Sequence, residues 1–285
     1  MIWSSRFCSQ EVCTQLSFMI LQVLPYITVV IFTAGVIYRL GRWAGARIVH
    51  NITLSTPNFA SGVTGAVAEA GTEIVLFKSL FNLNRGLWVG AWPMHVALGA
   101  ILGGHLTGIY FLGKHFAFIP GITEHTSEQM SSYLGLIFGI LIFLALLYLL
   151  YRRLAVDYVK KVSLTSDYLH LLLLIAIVSV GNFMRLFPGV GIEYAPVKEY
   201  VTQLILLQPI PANAEVLHKP LFATHLLLVQ ILMVVFPFSK LMHLFGMFGN
   251  RYIQNRPYQN PAPGMTGPDL LKNVPVVEAR WERGV

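Results

Sequence analysis

Four histidines lie where histidine is expensive. His95 and His105 fall in an uncharged stretch from Gly86 to Gly113, and His225 and His243 fall in or just beyond another, from Pro220 to Ser239. A histidine inside a bilayer usually faces the interior of a helix bundle and has a function there. Imidazole is also the commonest metal-ligating side chain. Zinc needs ligands converging on one atom, commonly at i, i+4 spacing. No pair along either stretch has that spacing, and neither stretch supplies a Cys, Asp or Glu. Two neutral imidazoles on opposite faces of an iron porphyrin leave no open coordination position, which suits electron transfer rather than oxygen chemistry. The donor set therefore points to two haems b, each held by one histidine from each stretch. The competing reading is a haem-free membrane anchor or small transporter, with the histidines as packing groups or a proton relay.

If both stretches are helices that cross a membrane in opposite directions, the pairs follow: His105 with His225, and His95 with His243. Along span five, His225 and His243 are five turns apart on one face, a rise of ~27 Å. Along span two the corresponding rise is ~15 Å, with a rotation of about 80°. Tilt, or a bend at Pro237, must absorb the difference. Gly99, Gly103, Gly104 and Gly108 interleave with the span-two histidines. They either let a macrocycle lie against the backbone or pack helices closely through small-xxx-small pairs.

The chain as a whole fits this setting. Its 285 residues are 55% hydrophobic and only 12% charged, about half the charge of a soluble domain. The fold class expected is an all-α integral membrane protein, a five-transmembrane-helix bundle in residues 1–245. The spans are expected at about 16–40, 87–112, 132–154, 166–187 and 220–245. Each contains an uncharged run long enough, or nearly so, for a bilayer, which needs ~20 residues. The net charge of +7 does not imply nucleic acid, because the basic residues sit in short loops. They concentrate after span one (Arg39, Arg42, Arg47, Lys78, Arg85), after span three (Arg152, Arg153, Lys160, Lys161) and in the tail. By the positive-inside rule the N-terminus lies outside and the C-terminus in the cytoplasm. The protein is thus expected to be multi-pass in the cytoplasmic membrane, with Trp88 and Trp92 at the inner mouth of span two.

Three segments lie outside the spans. The cytoplasmic loop 41–86 begins polar, and Ala66–Phe81 has apolar residues spaced for one face of an interfacial helix. Tyr200–Ile210 is apolar but short, ends in Pro209 and Pro211, and is expected to cover the outer ends of the spans. The Pro-rich tail 246–285 cannot bury a core of its own and reads as a strap on a cytoplasmic partner. The first span exceeds the length of a signal-peptide core and lacks a cleavage pattern, so it is expected to be retained. Cys8 and Cys13 precede it, as a disulfide or two free thiols. No C-x-x-C-H occurs, so covalent haem attachment is not indicated.

His-x9-His in span two and His-x17-His in span five, on five spans with the N-terminus outside, resemble the gamma subunit family of respiratory nitrate reductase. The resemblance covers about residues 16–245. It implies a di-haem cytochrome b, an oxidoreductase subunit that works only within a larger complex. His105 and His225 would then ligate the outer haem, and His95 and His243 the inner one. The cytochrome would exchange electrons with menaquinol or menaquinone near the outer face and with a cytoplasmic iron–sulfur subunit. The long loop Gly41–Gly86 departs from the compact nitrate reductase subunit. It resembles members associated with sulfite reductase or with heterodisulfide-reductase-like iron–sulfur proteins, and further membrane or outer-face redox subunits fit that branch. A lysine beyond the outer ligand serves quinone in the family. Here Lys114, His115 and His125 are the candidates, against the simpler reading as solvated loop residues. Arg185, at the outer end of span four, either pairs with a haem propionate or snorkels to the interface.

Overall fold

The computed structural model of the chain describes residues 10–45, 71–110, 115–187 and 189–247. The tail beyond Met247, most of the loop after span one, Cys8, His50 and Lys114 lie outside the described residues. Among the described residues the chain is helical and forms no strand. Five helices are long and apolar enough to cross a membrane, as the composition predicts: Thr14–Ala44, Arg85–Gly108, Glu124–Ala155, Thr165–Leu186 and Pro220–Phe238. Large apolar side chains such as Val30, Leu106, Ile137 and Leu144 point outward. In water such a surface would associate; in lipid it is the solvent-facing side.

Local chemistry sets several of the helix limits. Span three starts at Glu124, earlier than its uncharged run, because Thr123 accepts the Thr126 amide at 3.2 Å and caps the first turn. Span one contains a π-turn, Met19–Val23, immediately before Pro25. Proline has no N–H to return to the carbonyl of Leu21, so that carbonyl accepts the Tyr200 hydroxyl at 3.0 Å. The neighbouring Ile20 carbonyl accepts the Gln230 amide at 2.9 Å. Span five is regular only from Pro220 to Val235. Two short 3-10 turns follow, Phe236–Phe238 and Lys240–Met242, separated by extended Ser239. Pro237 lies in the break, and Gly35 of span one makes room for it: a Cβ on Gly35 would stand 2.7 Å from the Pro237 Cβ.

The spans pack in an open arc in the order two, three, four, five, one. Spans two and five, which carry the histidines, make no substantial contact with each other. One apolar core, Ala97, Ile142, Leu146, Leu149 and Leu171, joins spans two, three and four. Another, built on Leu21, Tyr200, Ile210, Val216 and Leu217, lies at the far end, away from the arginine-rich loops. The helix Tyr194–Ile205 and the chain after it close that end. Tyr26 donates to the Leu204 carbonyl at 3.0 Å, and Gln22 accepts the Ile210 amide at 2.7 Å.

The expected interfacial helix over Ala66–Phe81 is not continuous. Residues 71–76 are helical, Phe77 takes a left-handed conformation at φ 52, and a new helix runs Lys78–Leu83. Both Glu73 carboxylate oxygens hold Ser79 at 2.8 Å, which draws the two pieces together. Trp88 and Trp92 donate to the Leu76 and Val75 carbonyls at 2.8 and 2.9 Å. The segment is thereby tied across the basic end of span two, where apolar periodicity alone gave no reason for a break.

Candidate haem-binding site

All four histidines present the same donor. In span two, Nδ1 of His95 lies 2.7 Å from the Ala91 carbonyl, and Nδ1 of His105 lies 2.7 Å from the Ile101 carbonyl. Nδ1 of His225 lies 3.1 Å from the Ile177 carbonyl of span four, and Nδ1 of His243 lies 3.0 Å from the Lys240 carbonyl. A carbonyl only accepts, so each bond assigns the proton to Nδ1 and leaves the Nε2 lone pair bare. That tautomer is the one a metal-ligating imidazole needs, with its other nitrogen oriented by the backbone.

The rings of His95 and His243 are 5.8 Å apart between centroids, at 82°. Two metal–nitrogen bonds of ~2.0 Å plus two half-rings come to roughly 6.3 Å, so the rings are within about half an ångström of the separation of two imidazoles that share one metal. Phe77 stacks edge-on against His95 at 5.0 Å. Its strained backbone conformation, which costs ~1–2 kcal/mol for a non-glycine residue, delivers a ring to this site. At the far end, His225 has His105 and Arg185 as neighbours. Gly181 of span four lies against the His225 ring: an added Cβ would meet Cε1 at 3.1 Å.

Open space flanks span two beside its histidines. A Cβ added at Gly99, Gly103 or Gly104 would meet nothing within 4 Å. These glycines therefore do not serve close helix packing; they face open space on the histidine-bearing helix. Gly108 is half-buried on the same helix. Among the described residues no three His, Cys, Asp or Glu side chains converge. Two protein ligands per site suit a porphyrin, which brings four nitrogens of its own.

The other candidates are scattered. Arg185 lies over Gly135 of span three, where a Cβ would stand 2.6 Å from its guanidinium carbon, and donates to the Ser131 carbonyl at 3.4 Å. His125 is exposed in the first turn of span three, and its Nε2 accepts from Gln129 at 3.2 Å. His115 opens the short turn His115–Phe118, and its side chain lies outside what is described. His170 is half-buried in span four, and His218 is exposed.

Residue types alone gave little sign of two further contributors. Gly181 looks like any small residue in an apolar run. Arg39 hides a finer feature: its Nε is buried and has no hydrogen-bond partner among the described residues. Arg39 lines a pocket of about 510 Å³ with Trp43, Lys240, Met242 and His243. A buried cationic nitrogen without an acceptor, beside a histidine, fits the carboxylate of a bound group.

Residues 72–261 match the profile described as the nitrate reductase gamma subunit. The chain is 31% identical to the Hdr-like menaquinol oxidoreductase cytochrome b-like subunit of Archaeoglobus fulgidus, over 90% of this chain and 84% of that protein. It is 28% identical to the nitrate reductase gamma chain of Bacillus subtilis, over 79% of this chain and 89% of the other. A second Hdr-like menaquinol oxidoreductase cytochrome b-like subunit, from Archaeoglobus profundus, is 27% identical over 80% of this chain and 76% of its own. With five membrane-capable helices, and a family profile that covers more than half of its length, this chain is a membrane protein that belongs to the nitrate reductase gamma subunit family.

Proposed function

We propose that this chain is a di-haem cytochrome b subunit that carries electrons across the cytoplasmic membrane between menaquinol and an iron–sulfur partner. The observation that carries the reading is the donor set. Four imidazoles, on or just beyond two spans, each have Nδ1 held by a backbone carbonyl and Nε2 bare, and three glycines beside His95 and His105 meet no neighbour. His95 and His243 would hold one haem, and His105 and His225 the other. A haem so ligated supplies one-electron chemistry with no open iron position. Gly99, Gly103, Gly104 and Gly108 leave room for the ring. Arg39 at one end and Arg185 at the other provide cations for its carboxylates.

By the rule that basic loops stay inside, the His95–His243 end would face the cytoplasm. Quinol would be oxidised near the opposite face, releasing protons there while electrons move inward; this separates charge without moving the protein. Lys114, His115 and His125 are the candidates to bond the quinone oxygens and accept those protons. Menaquinol as the donor, and a place in an Hdr-like complex, are supported by the names of the Archaeoglobus relatives. That partner would dock on the loop 41–86, on Val159–Leu164 and on the tail.

The test is a reduced-minus-oxidised spectrum with haem extraction on the purified chain. Two b-type haems are expected. His95→Ala or His243→Ala should lose one haem and keep the other, and His105→Ala or His225→Ala should do the reverse. A well-folded chain without haem would mean a membrane anchor, and the electron-carrier reading would fail.

A further inference from the structure

We propose that Asp167 of span four sets the orientation of the His243 ring by clamping Lys240, so that a residue outside the ligand set governs the haem held by His95 and His243. The inference rests on the haem reading above and goes beyond it to a positioning residue. His243 is not on the regular helix of span five. It follows a break of two 3-10 turns, and such turns are held by few hydrogen bonds of their own. Something else must fix the segment if an imidazole on it is to keep one plane.

The ion pair supplies that fixation. Asp167 is buried, with a side-chain exposure of 9%, and its Oδ1 lies 2.8 Å from the Lys240 Nζ. Its Oδ2 accepts the Leu164 amide at 3.0 Å and lies 3.5 Å from Arg153 Nη1. The carboxylate is therefore anchored to span four and to the end of span three before it reaches Lys240. The Lys240 carbonyl in turn takes the Nδ1–H of His243 at 3.0 Å. Ser239 stiffens the same turn, accepting the Leu241 amide at 3.1 Å. The path runs from a buried charge, through one lysine, to the ring of a proposed ligand. A charge-assisted bond in a partly buried setting is among the stronger side-chain links available to it.

The ring planes of His95 and His243 are 82° apart, and this makes the clamp measurable. In a low-spin ferric haem, the angle between two axial imidazole planes sets the splitting of the iron d orbitals. Near-perpendicular planes give a highly anisotropic EPR signal with a large maximal g value; rotation towards parallel lowers it. The experiment records the EPR spectrum, haem content and midpoint potentials of the full chain in membranes, for the parent, Asp167→Asn, Asp167→Glu and Lys240→Met. In Asp167→Asn and Lys240→Met the signal of the His95–His243 haem should shift or broaden, or that haem should be lost. The His105–His225 haem, which serves as the folding control, should not change. Potentials should move in opposite directions: positive when the carboxylate charge is removed and negative when the lysine charge is removed. Asp167→Glu should restore much of the parent signal. Lys240 is 62% exposed, so its removal tests the link even if Asp167→Asn fails to fold. Both variants keeping the parent EPR signal would overturn the clamp alone. A parent chain with no haem would overturn the function reading and the clamp together.

Discussion

The two histidine pairs are built differently. At the far end, both partners sit within long regular helices, and His225 is fixed by a third: span four gives it the Ile177 carbonyl and, at Gly181, the space its ring occupies. At the basic end, His95 is on a regular helix, but His243 is on a broken one. There the fixing elements are an ion pair, a proline break and a strained Phe77. The difference follows from helix geometry. Ten residues of span two cannot match eighteen of span five if both stay helical; the rises differ by ~12 Å. One end can use plain helix packing, and the other must absorb the mismatch. Packing is specified by shape and breaks abruptly, whereas an electrostatic clamp holds a broken helix and yields by degrees.

The largest effect that would test this contrast is overpacking at the far end. Gly181→Leu places a side chain where the His225 ring lies, since even a Cβ would be 3.1 Å from Cε1. The ring must turn or move, because spans four and five are already packed together. The expected outcome is loss of the His105–His225 haem with retention of the other, read as half the parent haem content and one surviving midpoint potential. Gly181→Ala should lose less. Full retention of both haems in Gly181→Leu would mean that His225 is not held by packing.

A smaller effect is expected from charge at the same end. Arg185 neighbours His225, and a nearby cation favours the reduced, less positive state of a bound haem. Arg185→Gln should therefore lower the potential of the His105–His225 haem, by on the order of 1 kcal/mol or roughly 40 mV for one electron. The other haem should keep its potential. An equal fall at both haems would indicate a general loosening of the bundle instead.

Much of the architecture was legible because it is written in composition. Five uncharged runs, separated by loops rich in Arg and Lys, dictate five spans whatever the packing. Successive runs must alternate in direction, so the sequence also brings His95 and His243 to one end, where their rings stand 5.8 Å apart. The geometry that fixes them was not. Pro237 announced a bend, but not that the chain would pass through extended Ser239 and leave the Lys240 carbonyl for His243. Asp167 reads as an ordinary first-turn acid; only the fold brings it to a lysine 73 residues later. Phe77 fits the apolar period of the segment it interrupts, so periodicity argues for the helix that its φ of 52 ends. Gly181 matters through a ring from another helix, and no local pattern records that. Contacts between distant segments are absent from local periodicity, and the fixing elements here are of that kind.

The effect furthest from the haems concerns the cover over the far end, and its pH dependence sharpens the contrast. Tyr200 is 3% exposed and donates to the Leu21 carbonyl left free by Pro25. Burial, and then the neighbouring Tyr26, push its pKa up from the usual phenol value. The folded chain thus holds Tyr200 neutral, whereas the unfolded chain ionises it near pH 10. Stability from this group is fully present below about pH 10 and declines as the pH climbs towards the raised folded value. Tyr200→Phe leaves the carbonyl without its donor and should cost about 1–3 kcal/mol near neutrality. It should also remove the alkaline slope, so the parent and the variant converge above about pH 10. Thermal unfolding in detergent, followed by circular dichroism across that range, reads both effects. The haem of His95 and His243 should keep its EPR signal in Tyr200→Phe, because its fixing elements lie at the other end of the bundle. A parallel change in that signal would mean that the two ends are not built independently.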